Sequence, residues 1–332
     1  MQKLTDLIKD KKVLFVTTKN IDYIRNTQEI RILNENSASV DILYSEKKNY
    51  LFRILHVWRQ CTKKRIGASD IVFVGFEPQF VLPFLGKKFK DKSLIIDFFI
   101  SVYDTLICDR KKFKDGGPVS KFSHWMDEKT LRLADHVITD TNAHAEFFIK
   151  EFGGEADKFE TIYLEADSSI YYPRPQKKNE EYKDKFVVLY FGSILPLQGV
   201  DVVLDAVRKL KDNKDIFFEI IGPVPEKYSK PVQDNVSYTE WLSQEELSER
   251  IAASDLCLAG HFSGEIDKAW RTIPGKAYIY EMMNKDMILG DGEANHELFT
   301  EDDRHFFVER GSSQKLADKI EMIFHQKKEE NV

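Results

Sequence analysis

Cysteine is scarce: Cys61, Cys108 and Cys257 are the only three in 332 residues, and none stands at CxxC or Cys/His ligand spacing. That excludes a disulfide framework and a zinc site, and leaves an expectation of three buried thiols. No run approaches the roughly 18 apolar residues of a membrane span, and the opening MQKLTDLIKDKK lacks the apolar core of a signal peptide. A cytoplasmic protein is therefore expected. Glycine is missing from VTTKNIDYIRN after the first candidate strand, so no GxGxxG follows it, and neither GxxxxGK[ST] nor GxSxG occurs anywhere. Dinucleotide dehydrogenases and P-loop ATPases lose their phosphate loops, and the nucleophile elbow is absent. There is no surplus of positive charge either, with 49 Lys and Arg against 55 Asp and Glu, which argues against a nucleic acid partner.

What is present is globular: 42% hydrophobic and 31% charged residues, at a length that suits two domains. Residues 1–168 balance at +2, and the remainder carries −8. In the first half, apolar runs at 13–18, 40–45, 71–76, 94–99, 136–141 and 161–165 alternate with helix-like stretches near 22–34, 48–65, 121–134 and 142–152. Such alternation predicts a parallel sheet covered by helices on both faces. The segment YYPRPQKKNEEYKDK (171–185) has the prolines and charge of a solvated linker. The rhythm then restarts, with strands at 186–191, 216–221, 235–239, 256–259, 287–289 and 306–308. Helices fall near 199–211, 243–254, 276–284 and 313–328, and Ser243 with Glu246 forms a capping box. The expected fold is α/β: two doubly wound domains, 1–170 and 186–332, facing a central cleft, with the last helix a candidate to pack back on the first domain.

Phosphate-friendly features lie in the second half. Strand VVLYFG runs into GSILPLQG and a helix, so Gly192 and Gly199 would let a phosphate approach backbone amides at a helix start. A strand-end glycine also serves as an ordinary turn. In KAWRTIPGK, Lys268, Arg271 and Lys276 gather within nine residues, with Lys268 and Arg271 on one helical face and Pro274-Gly275 opening the next helix. Three such cations suit a diphosphate or form a solvated charge run; their place after strand LCLAG favours the former.

Taken in order, LADHVITDTNAHAEFFIKEFG, YLEADSSIYYP, YFGSILPLQGVDVVLDAV and KAWRTIPGKAYIYEMMNKDMILGD resemble successive blocks of the GT-B-fold glycosyltransferases, especially bacterial retaining enzymes of the family-4 type. DFFISVYDTLICDRKK at 97–112 is similar to a block of one subgroup. The resemblance implies two Rossmann-like domains and a nucleotide-sugar donor. It makes Gly192 and Ser193 part of the donor diphosphate loop, with Lys268, Arg271 and Lys276 as its cations. It sets Gly222-Pro223, Trp241 and Leu242 near the base. Asp97 becomes a candidate catalytic carboxylate, or else a turn cap. Asp104, Asp109 and Arg110 either line the acceptor side or form a local ion network. His144 and His261 are candidate sugar contacts, though a lone histidine is more often structural. No metal is implied, because cations and helix amides take the leaving-group charge.

Two departures stand out. Gln198 occupies a position the family often fills with a basic residue. Ile279 stands where the family places a ribose-holding Glu, and Glu281, two residues on, is turned by roughly 200° to the opposite helix face. A non-catalytic partner subunit of an active transferase is therefore the alternative to an enzyme, and a GT-B-fold nucleotide-sugar epimerase ranks third. Between Lys47 and Arg65 seven Lys/Arg and no acidic residue are interleaved with apolar residues; Tyr50, Leu51, Ile54, Leu55, Trp58 and Cys61 share a helical stripe. That stripe suits packing on the sheet, and the cations suit an anionic membrane at its inner face, near a glycan or lipid-linked acceptor. A protein partner or homodimer stays open.

Overall fold

The computed structural model describes residues 2–330, apart from the side chain of Lys64. The chain divides into two compact units between Glu165 and Ala166.

In the first unit the order is α1 (Gln2–Ile8), β1 (Lys12–Val16), α2 (Ile24–Asn36), β2 (Ser39–Leu43), α3 (Tyr50–Gln60), α4 (Lys63–Gly67), β3 (Ile71–Val74) and α5 (Leu82–Leu85). There follow β4 (Ser93–Asp97), α6 (Pro118–Leu133), β5 (His136–Thr139), α7 (Asn142–Phe152) and β6 (Phe159–Thr161). The six strands pair in parallel in the order β2-β1-β3-β4-β5-β6. Strands β3 and β5 are buried along their whole length and β1 and β4 in all but one residue, which is why they read as unbroken apolar runs. Two apolar cores lie on the two faces of the sheet: Leu14, Val57, Leu94 and Phe148 belong to one, Leu4, Phe15, Ile32 and Ile95 to the other. The last strand falls earlier than the expected 161–165, and the helical stretch 48–65 breaks at Cys61 and Thr62 into α3 and α4.

The second unit comprises β7 (Phe186–Phe191), α8 (Val200–Lys209), β8 (Ile216–Ile221), β9 (Val236–Thr239), α9 (Gln244–Ala253) and β10 (Leu256–Gly260). It continues with α10 (Lys268–Arg271), α11 (Gly275–Met282), β11 (Met287–Gly290), β12 (His305–Val308) and α12 (Ser313–Glu330). Its parallel sheet runs β12-β11-β10-β7-β8-β9. Strand order reverses beside β7, so the carboxyl ends of β7 and β10 flank the switch point where open α/β sheets bind ligands. Helix α8 buries Val200, Val203, Leu204 and Val207, an i, i+3, i+4, i+7 stripe. Ser243 and Glu246 form the expected capping box at α9.

One expectation needs correction, that of three buried thiols, and two segments are seen in more detail. Residues 171–185 belong to the second unit and are mostly exposed, with a few side chains tied down. Gln176 donates to the Ser254 carbonyl at 2.8 Å, Lys178 pairs with Asp255 at 2.6 Å, and Tyr182 stacks on Phe217 with ring centroids 4.3 Å apart. Lys178 is thereby paired with a residue distant in sequence, which composition cannot show. Helix α12 puts Leu316, Ile320 and Ile323 into the core of its own unit, alongside α8. Cys61 and Cys257 are buried, but Cys108 is exposed.

Candidate functional site

The second unit gathers its candidate residues on loops that leave the carboxyl ends of its strands. After β7, Gly192 takes φ +140°; after β8, Gly222 takes φ +137°. A Cβ at Gly222 would lie 2.2 Å from the Gly192 carbonyl oxygen, so the two loops touch backbone to backbone. Gly199, at φ +65°, caps the N-terminus of α8. A Cβ there would meet the Phe262 and Ser263 backbone at 2.5 Å. Gly199→Ala is expected to cost roughly 2–4 kcal/mol, combining overpacking with a disfavoured backbone conformation. Urea unfolding of the variant checks this.

Lys276 lies at the start of α11 and is buried, 5% exposed. Its ammonium donates to Gln198 Oε1 at 2.6 Å and sits 4.1 Å from the centroid of the Tyr190 ring. Gly192 and Gly260 border it: a Cβ on either would stand 3.7 or 3.5 Å from Nζ. Burial lowers its pKa to about 7. No carboxylate pairs with it among the described hydrogen bonds and ion pairs. The site thus holds a cation in want of an anion, with Gln198 positioning it.

Lys268 and Arg271, at the two ends of α10, are both half-buried. His261, after β10, is buried with Nδ1 3.3 Å from Thr272 Oγ1. Its pKa falls well below the usual range through burial, then through the charges of Lys276, Arg310 and, more weakly, Lys268. His261 therefore stays neutral inside a cationic cluster. Arg310 is the member that sequence reasoning missed. It follows β12, is 6% exposed, and stacks over Trp270 at 4.9 Å. Its Nε donates to the Asp291 carbonyl, while Nη1 has no hydrogen-bond partner. Burial lowers its pKa to about 10. A Cβ at Gly292 would fall 2.2 Å from Arg310 Nη2, so that glycine makes room for the guanidinium. The signal available in sequence was a lone Arg in HFFVERG at a strand's carboxyl end.

Ser193 is exposed beside Gly192, and Trp241, in the loop after β9, is 80% exposed, unusual for so large an apolar ring. Ile279 is half-buried. Glu281 is committed elsewhere, accepting from His305 Nε2 at 2.7 Å and Arg304 at 3.3 Å.

In the first unit, Asp97 ends β4 and has no exposed surface. Both its oxygens are taken by Arg25, Nε at 3.1 Å and Nη2 at 3.0 Å. Glu29 lies 3.5 Å from the same guanidinium; burial, then the Asp97 charge, raise its pKa well above the carboxylate range. Each oxygen of Asp97 thus accepts one hydrogen bond from Arg25, which fixes the orientation of the carboxylate at the end of β4. Asp104 and Asp109 are buried along a π-helical turn, and Arg110 is exposed. Their loop is organised by Asp127, also unanticipated, whose carboxylate accepts from Gln79, Ser101 and the Val102 and Tyr103 amides at 2.7–3.1 Å. Burial outweighs those bonds and raises its pKa to about 6. His144 is fully buried against Phe148 and bonded to Asp140 at 2.8 Å, which closes it to a sugar.

Among the described residues no group of three or more His, Cys, Asp or Glu could hold a metal ion, and no helix is long and apolar enough to cross a membrane. Residues 185–326 match the family described as Glycosyl transferases group 1. An MMP alpha-(1->4)-mannosyltransferase of Mycolicibacterium hassiacum is 21% identical over 147 residues, 42% of this chain and 34% of the relative. A chitobiosyldiphosphodolichol beta-mannosyltransferase of Candida albicans is 25% identical over 245 residues, 64% of this chain and 53% of the relative. The chain thus spans between a third and about half the length of these curated relatives. Anabaena Alr3699/HepE, solved with UDP and glucose, superposes with a TM-score of 0.65 at 16% identity, covering 96% of this chain and 91% of that one. Sucrose-phosphate synthase from Thermosynechococcus elongatus gives 0.66 at 10% identity, covering 95% and 90%. The fold is that of GT-B glycosyltransferase structures.

Proposed function

We propose that the protein is a glycosyltransferase that moves a hexosyl group from a nucleotide-sugar donor to a glycan or lipid-linked glycan acceptor. The observation that carries this reading is the buried, anion-free Lys276 ammonium, ringed by Gln198, Tyr190 and strand-end glycines at the switch point of the second sheet. A diphosphate is the ligand that such a site favours. Gly192 and Gly222 admit it to the backbone, Ser193 and Gln198 supply hydrogen bonds, and Lys268, Arg271 and Lys276 share its charge. Trp241 offers a face to the base. As the sugar leaves, negative charge grows on the β-phosphate, and these cations stabilise it without a metal. On the first unit Asp97 orients its loop through Arg25, and Asp104 and Arg110 flank the acceptor side. The wording of the family match and the nucleotide in the Anabaena complex support the donor class. Retention follows from the resemblance of the sequence blocks; the names of the two mannosyltransferase relatives carry one alpha and one beta linkage. The cation-rich 47–65 region would hold the enzyme at an anionic membrane face.

Incubation with labelled UDP- and GDP-sugars and lipid-linked glycan acceptors tests the proposal. Label is expected to pass from one donor class to the acceptor, and Arg271→Ala to slow it by on the order of a hundredfold. Absence of transfer, together with a stable complex with a second transferase, would favour the partner-subunit reading.

A further inference from the structure

Helix α3 does not bury the stripe that the sequence offered. Ile54, Val57 and Cys61 enter the core, whereas Leu51, Phe52 and Leu55 are 71%, 64% and 50% exposed. The apolar surface continues beyond the helix. Trp58 contacts Phe84 of α5 at 5.2 Å between centroids, Phe84 contacts Trp125 of α6 at 6.4 Å, and Trp125 stacks on Phe122 at 5.6 Å. Phe84, Trp125 and Phe122 are themselves exposed. The Trp58 indole N–H is satisfied by the Phe80 carbonyl at 2.7 Å, so its polar atom makes no demand on solvent. Contiguous exposed aromatic surface of this kind marks an interaction site.

Beside this ledge lies a cavity of about 870 Å³ within the first unit. Phe52, Leu55, Trp58 and Leu85 line its apolar part; Lys47, Lys48, Arg59, Lys63 and Lys88 also line it, and no acidic residue does. An apolar floor with several cations and no counter-anion matches an anionic amphiphile, its acyl chain on the floor and its phosphate among the cations. Tryptophan at the boundary suits a bilayer interface.

We propose that this face seats an anionic phospholipid of a bilayer in the α3 cavity, while Leu51, Phe52, Phe84, Phe122 and Trp125 enter the interface. The proposal sharpens the membrane contact given under the proposed function, but its test involves no sugar transfer, so either can fail alone.

The test is flotation with phosphatidylcholine vesicles, with and without roughly a third phosphatidylglycerol, at low and high salt. Binding is expected to require the anionic lipid and to weaken with salt. Lys48→Glu with Arg59→Glu should reduce it about fivefold or more per cation, and Phe52→Ser with Leu55→Ser on the order of tenfold. Both pairs are surface residues, and an unchanged circular dichroism melt confirms folding. In protein carrying Trp241→Phe and Trp270→Phe, chain-brominated lipid should quench the remaining fluorescence. Equal binding to neutral and anionic vesicles would overturn the proposal. So would salt-sensitive binding without quenching and without effect of the Phe52/Leu55 variant, which would indicate surface attraction only. A dimer dispersed by that variant, with no lipid binding, would assign the face to a second copy instead.

Discussion

Replacing Arg25 by Ala is expected to destabilise the first unit by about 3–5 kcal/mol at pH 8, lowering its melting temperature by roughly 10 °C. The substitution strands two buried carboxyl groups, Asp97 and Glu29, and removes the guanidinium that donates to the Ile162 carbonyl. The pH dependence has a definite sign. Glu29 already titrates well above 4.5 in the native protein. Loss of Arg25, whose charge lowers it, lifts the Glu29 pKa further, so the folded state holds a proton that the unfolded chain releases above its own pKa. Stability then falls as pH rises through the raised pKa, and the variant's deficit relative to wild type should shrink from pH 8 to pH 5. Scanning calorimetry at the two values measures it. A deficit independent of pH would mean that the carboxyl groups find other donors.

Lys276→Met should weaken nucleotide-sugar binding by on the order of a hundredfold, because a buried cation facing an anion is lost while the volume is roughly kept. The wild type should show a matching proton signature. Burial holds the empty site's ammonium at a pKa of about 7; a bound diphosphate favours the charged form and raises it. Binding at pH 8 therefore takes up about 0.9 proton, and binding at pH 6 almost none. Affinity falls up to about tenfold per pH unit above 7. For the free protein the sign is opposite: a depressed lysine binds fewer protons folded than unfolded, so its contribution to stability rises between about 7 and 10.5. Calorimetry in buffers of different ionisation enthalpy reads the uptake, and Lys276→Met should abolish it. Uptake that persists in the variant would assign the proton to another group.

The strands were largely legible because a parallel sheet buried on both faces must be written as continuous apolar runs; KVLFV, IVFV and FVVLYF leave little choice. Caps were legible where side chains act within three residues, as at Ser243 and Glu246. What escaped depends on partners far along the chain. Lys178 looked solvated because Asp255 is 77 residues away. Asp97 was read from its place at a strand end alone; its pairing with Arg25, 72 residues earlier, needed the fold. Helix α3 showed an apolar stripe, but periodicity does not say which part the sheet covers, and Val57 rather than Leu51 or Leu55 went inside. In the second unit, Gln198 and Lys276 were singled out separately in the sequence; their 2.6 Å hydrogen bond needed the fold. Arg310 stood outside every recognisable block, and only its burial among the site cations reveals it.

The most direct measurement is titration calorimetry of the whole chain with UDP, GDP and a panel of nucleotide sugars, on wild type and on Arg271→Ala. A donor site in the second unit predicts saturable binding to one base class that Arg271→Ala weakens by at least about tenfold. Absence of binding to every nucleotide, or binding indifferent to Arg271, would contradict it.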